Sequence, residues 1–254
     1  MERRHRKLSR FFYTILIMNI SIIFEDNDVL VINKPAGLLV HPHARSEEET
    51  LVDWILKKYP RIKKVGEDLV LQTGEHIARP GIVHRLDRET SGIMIIAKNQ
   101  DTFEFLKKGF QEREIQKTYR AIAHGAFKEV RGTIEGAIGR SSKDPAKKAV
   151  KKTGRVRDAV TDYLVLSQNE MYAHVEAYPK TGRTHQIRVH LAHIQHPVLC
   201  DALYADKRIC PPELGRLSLH AYALELTLPS GERMQFSAEE PAEFVRFLAT
   251  VGLL

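Results

Sequence analysis

Short apolar runs rich in β-branched residues, separated by polar turns, set the strongest limit on how this chain of 254 residues can fold. Residues 20–24 and 29–32 have this character, and the acidic stretch between them has turn chemistry. Helical spacing of apolar residues predicts helices at 50–59, 101–111, 184–194 and 242–249. We predict further strands at 93–97, 117–124, 133–138, 159–167, 173–177, 218–228 and 234–237. Because most neighbouring strands lack a crossover helix, an α+β fold with a largely antiparallel sheet is favoured.

The beginning of the chain differs from the rest. Residues 1–10 are strongly basic and residues 11–24 largely apolar, as in a secretory signal. Asn19 and Ser21 interrupt the apolar run, no small-residue cleavage site follows, and the run is too short to span a bilayer. We therefore expect residues 1–17 to be an appendage, residues 18–254 to form a single domain, and no membrane insertion. That Met18 is the natural start is a hypothesis.

The charge balance indicates an anionic partner. The formal net charge is +7 and the isoelectric point about 9.3, which favours nucleic acid first and a membrane surface second. Residues 140–157 hold eight basic side chains against one acid, without an apolar period, and so predict an exposed loop or ribbon. The candidates for phosphate contact there are Lys147, Lys148, Lys151 and Lys152. A solvated basic loop without a ligand is the alternative.

Cysteine and histidine spacing gives no sign of a disulfide framework or a metal site. The two cysteines form no Cys-x-x-Cys pair, so we expect reduced thiols and a cytoplasmic protein. The histidines near residues 185–196 match no metal-binding pattern, and no cysteine or carboxylate cluster joins them. We expect no metal.

A dense polar segment at residues 84–92, with the sequence HRLDRETSG, lies between two apolar runs. If its start is extended, Arg85 and Asp87 project on the same side. An aspartate held among arginines stays ionised, because opposite charge favours the carboxylate. A catalytic carboxylate and a salt-bridged hairpin turn are both open at this stage.

Two further segments could contact a substrate. In residues 180–190, Gly182 allows an unusual turn, Thr184 can cap the following helix, and Arg183 and Arg188 can pair with a carboxylate or phosphate. Tyr119 lies in a predicted strand, where the alternatives are a core side chain and a platform on which an unstacked base stacks.

These segments together resemble the RluA-like family of pseudouridine synthases. The resemblance runs from about residue 20 to residue 228, and its motifs occur in the family's order. They are VINKPAG with VHP at 31–42, HRLD with TSG at 84–92, KTY at 117–119, GRTHQIRVHL at 182–191 and LHA at 219–221.

The resemblance implies a role for individual residues. Asp87 matches the nucleophilic aspartate, Tyr119 the tyrosine that stacks on the flipped uracil, and Arg188 the arginine that pairs with the aspartate. Arg85 matches the arginine that fills the space left by the flipped base. The remaining motif residues expected to bind RNA are His84, Arg183, His185 and Gln186. The implied fold is a mixed, mainly antiparallel central sheet flanked by helices, the pseudouridine synthase catalytic fold.

The implied reaction isomerises uridine in structured RNA. It breaks the N1–C1′ bond, turns the uracil and joins C5 to C1′, so nothing is oxidised and no group is lost, and we expect no cofactor. The nucleotide must leave the stack, which favours loops and bulges. We expect a monomer that acts on a stem-loop of large-subunit ribosomal RNA, with transfer RNA as the alternative. Attack of Asp87 on C1′ and a route through a glycal both stay open.

Other interpretations predict different behaviour. A non-catalytic RNA-binding protein on the same fold would tolerate loss of Asp87. A glycoside or nucleoside hydrolase would need a second carboxylate, for which Glu89 is the candidate. About twenty residues precede the first predicted strand, too few for the small S4 RNA-binding module of many relatives. We therefore expect the catalytic domain itself to hold the RNA.

Overall fold

The computed structural model describes residues 20–42, 48–70, 74, 76–144, 146–151, 153–206 and 210–254. The predictions about residues 1–17, Met18 and Lys152 lie outside the described residues. In the described part of the chain, no helix is long and apolar enough to cross a membrane.

Four α-helices and fourteen strands occur in the described residues. The helices are α1 (Leu51–Lys58), α2 (Gln100–Glu112), α3 (Gln186–His193) and α4 (Ala242–Thr250). The strands are β1 (Ser21–Glu25), β2 (Val29–Lys34), β3 (Leu69–Val70), β4 (His76–Ile77), β5 (Ser91–Ala97), β6 (Gln116–His124), β7 (Arg131–Glu135), β8 (Ile138–Arg140), β9 (Lys148–Val150), β10 (Val156–Arg157), β11 (Val160–Gln168), β12 (Tyr172–Pro179), β13 (Leu219–Thr227) and β14 (Arg233–Ser237).

The chain divides into two compact units. Of the described residues, those up to Ile115 together with Glu225–Ala238 form unit 1, and Gln116–Leu224 together with Glu239–Leu254 form unit 2. Each unit has its own buried side chains and its own share of the candidate functional residues.

Unit 1 is built on the antiparallel order β1-β2-β5, in which Ile32 pairs with both Ile22 and Met94. The predicted first hairpin is therefore confirmed. Helix α1 begins with the predicted cap, since Thr50 and Asp53 form a reciprocal capping box. The sequence predicted this cap because Thr50 and Asp53 lie three residues apart.

A glycine is required where the chain passes β5. Gly81 has φ +65°, and a Cβ on it would lie 2.1 Å from the carbonyl oxygen of Ala97. The next residue, Ile82, bridges Ile96 in antiparallel pairing. This close approach brings the segment that leads to His84 against β5.

Unit 2 contains the order β13-β6-β12-β11-β7, in which β6, β12, β11 and β7 pair antiparallel. Its α3 buries Ile187 and Leu191 against Ala121, Val175 and Ala177. Helix α4 buries Phe244, Phe247 and Leu248 with Ile122, Leu199 and Leu214.

The basic stretch 140–157 forms most of a small antiparallel sheet in unit 2. Its order is β10-β8-β9, with Arg140 opposite Lys148 and Arg157 opposite Ile138. We call this sheet the basic ribbon. It gives the expected ribbon a defined register, and it divides the single strand predicted at residues 133–138 into β7 and β8.

Two local expectations are wrong. Thr184 does not cap α3: the N-cap is His185, in the left-handed region at φ 59° without a side-chain cap hydrogen bond. The cysteines are not free thiols, since Cys200 and Cys210 form a disulfide with Cα atoms 4.5 Å apart. That distance permits a disulfide, and the ten-residue spacing of the two cysteines does not reveal it.

Candidate active site and RNA-binding surface

A buried lysine fixes the turn that contains Asp87. Lys34 is fully buried, and its Nζ donates to the carbonyl oxygens of Pro35, Leu38 and Arg88 over 2.8, 2.9 and 3.0 Å. Its three ammonium donors therefore have three acceptors, which is what burial of the charge requires. Lys34 connects the turn after β2 to the residue that follows Asp87.

A second set of bonds reinforces the same junction. The amide of Gly37 donates to the carbonyl oxygen of Arg88 over 2.8 Å, and Arg88 Nε donates to the carbonyl oxygen of Gly37 over 3.1 Å. Within the turn, the amide of Thr90 donates to the carbonyl oxygen of Asp87 over 3.2 Å. Asp87 is half-buried on this braced turn, a placement compatible with a carboxylate that must hold one position.

The two residues before Leu86 have different surroundings. His84 Nε2 accepts the amide N–H of Ile95 over 3.0 Å, and its ring stacks on Phe110 with centroids 4.6 Å apart. His84 thus helps to anchor the turn to β5 and α2, and its contact with RNA stays a prediction. Arg85 is exposed, as a side chain that enters RNA would have to be.

Positive charge is concentrated beside this turn. Burial lowers the pKa of His41 to about 3, and the charges of Arg79 and Arg85 lower it further. Burial also lowers the pKa of Arg79, again with a contribution from the charge of Arg85. His41 is therefore neutral near pH 7, and Arg85, two residues before Asp87, adds its charge to a group that also includes Arg79.

Tyr119 lies in unit 2, on β6. It pairs with Ala177 of β12, is half-buried, and packs at the margin of the apolar cluster that includes Ala121 and Val175. Packing on one side and partial exposure are compatible with a ring that stacks on a base, so the stacking role stays a prediction.

Arg188 is held by a carboxylate that the sequence analysis did not single out. Arg188 Nε donates to Asp201 Oδ2 over 2.7 Å, and its Nη2 donates to Asp201 Oδ1 over 2.8 Å. The Asp201 side chain is fully buried and that of Arg188 is 8% exposed. Asp201 Oδ1 also accepts the amides of Leu203 and Tyr204 over 2.9 and 3.1 Å. The expected pairing of Arg188 with Asp87 stays a prediction.

The prediction that Gln186 binds RNA does not fit its surroundings. Its Oε1 accepts the Thr181 hydroxyl and the Arg183 amide over 2.6 and 3.0 Å. Its Nε2 donates to the Val160 carbonyl oxygen and to Thr161 Oγ1 over 2.9 and 3.0 Å. The side chain is buried with its donors and acceptor engaged, so its role is to join the loop before α3 to β11.

Arg183 and His185 are more accessible. Arg183 Nε donates to the carbonyl oxygen of Asp158 over 3.0 Å, which aims the guanidinium along the surface of unit 2. His185 Nδ1 lies 2.8 Å from the Tyr204 hydroxyl. Both side chains are partly exposed, and their contact with RNA stays a prediction.

The basic ribbon presents cations without ion-pair partners. Among the described residues, no ion pair joins Lys147, Lys148 or Lys151 to an acid, and all three are partly exposed. Lys151 Nζ donates only weakly, to the Arg140 carbonyl oxygen over 3.3 Å. Lysines on and beside one small sheet are compatible with contact with phosphate, which stays a prediction.

The described residues contain no group of three or more His, Cys, Asp or Glu side chains arranged to hold a metal ion. Both ring nitrogens of His190 have protein partners: Nδ1 lies 2.9 Å from Thr161 Oγ1 and Nε2 3.1 Å from the Gly136 carbonyl oxygen. Burial lowers its pKa, so this histidine is a neutral packing residue.

Three important residues escaped the sequence analysis. Lys34 lies in the VINKPAG motif but was assigned no role, and Asp201 and Tyr204 lie outside the motifs. Besides local contacts, they have partners 54, 13 and 56 residues away along the chain, which are Arg88, Arg188 and Lys148. Local patterns carry no signal for such pairs.

An α+β protein with a braced carboxylate, a buried arginine fork and a cationic ribbon has the features of an enzyme that acts on nucleic acid. Comparison with known proteins identifies the family. The RNA pseudouridylate synthase family model matches residues 28–193. The chain therefore belongs to the RNA pseudouridylate synthases.

Individual relatives agree. The chain is 38% identical over 230 residues to ribosomal large subunit pseudouridine synthase D of Borreliella burgdorferi, covering 91% of the chain and 68% of that relative. It is 39% identical over 246 residues to the protein of the same name from Neisseria meningitidis serogroup B, covering 93% and 62%. The chain thus spans about two thirds of the length of these relatives.

A solved structure shows the same fold. Human RNA pseudouridylate synthase domain containing 4 is 26% identical, with a TM-score of 0.72 over 97% of this chain and 98% of that one. The predicted family, the α+β fold class and the isomerase class of enzyme are confirmed. The catalytic interpretation is favoured over the non-catalytic RNA-binding protein.

Proposed function

We propose that this protein isomerises specific uridines to pseudouridine in large-subunit ribosomal RNA, with transfer RNA as the second candidate. The observation that carries the proposal is the family match over residues 28–193, which includes both the Asp87 turn and the Arg188 helix. The ribosomal substrate is supported by the names of the relatives, which are ribosomal large subunit pseudouridine synthases.

Asp87 is the proposed nucleophile. The reaction breaks N1–C1′ and forms C5–C1′, and the C5 proton leaves for solvent through a base. A carboxylate can act by attack at C1′, as in retaining glycosidases, or by taking the 2′ proton to give a glycal. The bracing of the turn by Lys34 and Gly37 supports this role, because a reacting group must be held within a few tenths of an ångström.

Tyr119, Arg188 and Arg85 are the proposed partners of Asp87. Tyr119 stacks on the extruded uracil and assists removal of the C5 proton. Arg188 matches the family's arginine that pairs with the aspartate, and the fork with Asp201 that fixes its guanidinium supports this role. Arg85 fills the space in the RNA, and its exposure supports this.

The RNA backbone is proposed to lie on the basic ribbon, with Lys147, Lys148, Lys151 and Lys152 near phosphates and Arg183 and His185 beside them. The proposed partner is a stem-loop bound by a monomer in the cytoplasm. The isomerisation has no redox step and loses no group, so we propose that it needs neither metal nor cofactor.

The direct test is the reaction itself. The purified protein is incubated with large-subunit ribosomal RNA and transfer RNA that carry tritium at C5 of uracil, and pseudouridine is mapped by chemical modification and primer extension. Release of tritium with conversion at defined positions is expected. Free uracil would identify a hydrolase, and RNA binding without tritium release would identify a non-catalytic protein.

Comparison of ribosomal RNA from cells with and without the gene identifies the positions. Loss of one or a few large-subunit pseudouridines is expected. Loss confined to transfer RNA would overturn the ribosomal assignment and leave the isomerase intact.

A further inference from the structure

The hydroxyl of Tyr204 joins two groups that are proposed to meet RNA. It accepts the amide N–H of Lys148, the first residue of β9, over 2.8 Å. It also lies 2.8 Å from Nδ1 of His185, the N-cap of α3. Within the basic ribbon, β9 is an edge strand that pairs with β8. The Tyr204 hydroxyl therefore accepts an amide from the edge of β9 that faces away from β8.

Tyr204 is itself fixed to the arginine of the candidate active site. Its amide donates to Asp201 Oδ1 over 3.1 Å, and the same carboxylate holds Arg188 in a fork. The Arg188 guanidinium carbon lies 5.1 Å from the centroid of the Tyr204 ring, within the range of a cation–π contact. One residue therefore contacts the arginine, the histidine and the basic ribbon.

The packing of the Tyr204 ring and the hydrogen bonds of its hydroxyl can be tested separately. The ring packs with a small buried cluster of Ile138, Ala159 and Val189, which links the ribbon to α3. A phenylalanine would preserve that packing and the contact with Arg188. The ring also meets the His185 ring edge-on, with centroids 5.7 Å apart, and a phenylalanine would keep that contact. The hydroxyl supplies the hydrogen bonds to Lys148 and His185, so its removal tests positioning without opening a cavity.

We propose that Tyr204 is a positioning residue, which holds His185 and the edge of the basic ribbon in a fixed place relative to Arg188 so that RNA is bound in register with the reacting uridine. This inference rests on the proposed function. Its physical basis is that a binding surface must be held by packing and hydrogen bonds behind it to keep a productive geometry.

The test is steady-state kinetics of Tyr204→Phe on an RNA stem-loop that the wild type modifies. The KM for RNA is expected to rise about five- to tenfold, the effect of losing one or two hydrogen bonds, with kcat changed by less than about twofold. Tyr163→Phe is the matched control, since it removes a hydroxyl from another tyrosine of unit 2 that packs on Phe127. It should leave both constants unchanged.

A double-mutant cycle separates positioning from stability. If the hydroxyl acts through His185, Tyr204→Phe should have little further effect on KM in a His185→Ala background. Additive effects of the two substitutions would overturn the part of the proposal that concerns His185. A Tyr204→Phe enzyme that is less heat-stable but has the wild-type KM would overturn the proposal as a whole. A wild-type protein that forms no pseudouridine would refute the proposed function, whereas an active wild type with an unaffected Tyr204→Phe variant would refute only the role of Tyr204.

Discussion

Arg188 and Asp201 form a two-bond fork in unit 2, with Nε to Oδ2 at 2.7 Å and Nη2 to Oδ1 at 2.8 Å. Both side chains are buried, so the fork replaces hydration that neither ion retains. The family resemblance assigns Arg188 to the reaction. A carboxylate of the same unit therefore holds this arginine in place. Two of the hydrogen bonds that orient the Arg188 guanidinium therefore come from Asp201.

Replacement of Asp201 by alanine is expected to be strongly destabilising. Loss of one partner leaves the Arg188 charge buried and uncompensated, at a cost of about 3–5 kcal/mol in the free energy of unfolding. Urea unfolding followed by circular dichroism measures it. Glu243→Ala is the comparison, because the Arg216–Glu243 pair is more exposed and should cost about 1 kcal/mol or less. Equal losses in the two variants would contradict the buried fork.

Asp87→Asn is expected to abolish isomerisation while RNA binding is retained. The amide keeps the size of the side chain but cannot act as a nucleophile or base, so turnover should fall at least about 1000-fold. Tritium release measures turnover, and fluorescence anisotropy with a labelled stem-loop measures affinity. The exposed Glu89 provides the control, since Glu89→Gln should remain active. Isomerisation by Asp87→Asn at a rate near that of the wild type would show that Asp87 is not the essential carboxylate.

The sequence predicted features whose causes lie close together along the chain. The cap of α1 depends on Thr50 and Asp53, three residues apart, and the first hairpin depends on alternating apolar residues on either side of an acidic turn. The motifs around Asp87 and Arg188 were found because the family preserves their order, not because local chemistry singles them out.

What the sequence could not predict depends on distant pairing. Thr184 has the chemistry of a cap, but the Gln186 side chain ties the loop before α3 to β11 by donating to the carbonyl oxygen of Val160, 26 residues away. Asp201 has no helical or strand pattern around it, yet it forms the fork with Arg188, 13 residues away. Propensity says nothing of such bonds because they form only once the fold is complete.

Glu240 is expected to make unit 2 sensitive to acid. Burial raises the pKa of Glu240, but hydrogen bonds and charge from His174 and Arg120 outweigh burial and hold it below the ordinary 4.5. A carboxylate whose pKa is lowered by folding contributes stability that is complete above its unfolded pKa and is lost as pH falls toward the folded pKa. The free energy of unfolding should therefore fall as pH drops below about 4.5.

Glu240→Gln is expected to weaken that dependence. The glutamine cannot titrate, so the difference in stability between wild type and variant should be largest at neutral pH and shrink below about pH 4.5. Thermal melting from pH 7 to pH 3 measures it. Its exposed neighbour gives the control, because Glu239→Gln should leave the profile unchanged. A constant difference at all pH values would show that Glu240 is not the group that titrates.

Alanine at Lys147, Lys148, Lys151 and Lys152 is expected to flatten the salt dependence of RNA binding. Each phosphate contact releases about 0.7–0.9 of a counterion, so loss of four contacts should lower the slope of log K against log salt by about 3. Anisotropy titrations between low and moderate salt measure the slope. An unchanged slope would remove the ribbon from the RNA-binding surface.

The control for the ribbon is a set of equally basic positions in unit 1. Four exposed lysines lie on or after α1, and they are Lys57, Lys58, Lys63 and Lys64. Their replacement by alanine changes the net charge by the same amount. If the slope falls equally in both quadruple variants, RNA affinity follows overall charge and not the basic ribbon.

Reduction of the Cys200–Cys210 disulfide is expected to destabilise the protein by about 2–3 kcal/mol, because a cross-link over ten residues restricts the unfolded chain. Urea unfolding with and without dithiothreitol measures the loss, and differential alkylation with mass spectrometry measures the thiol state in cells.

Cys200 has φ 60°, a conformation that favours glycine. Cys200→Gly with Cys210→Ser should therefore be about 1 kcal/mol more stable than Cys200→Ser with Cys210→Ser. The Cys200→Gly variant is also expected to have the higher kcat. Residue 200 precedes Asp201, so a relaxed backbone there keeps the fork to Arg188 in place. Identical unfolding midpoints for oxidised and reduced protein would show that the cross-link contributes nothing to the fold.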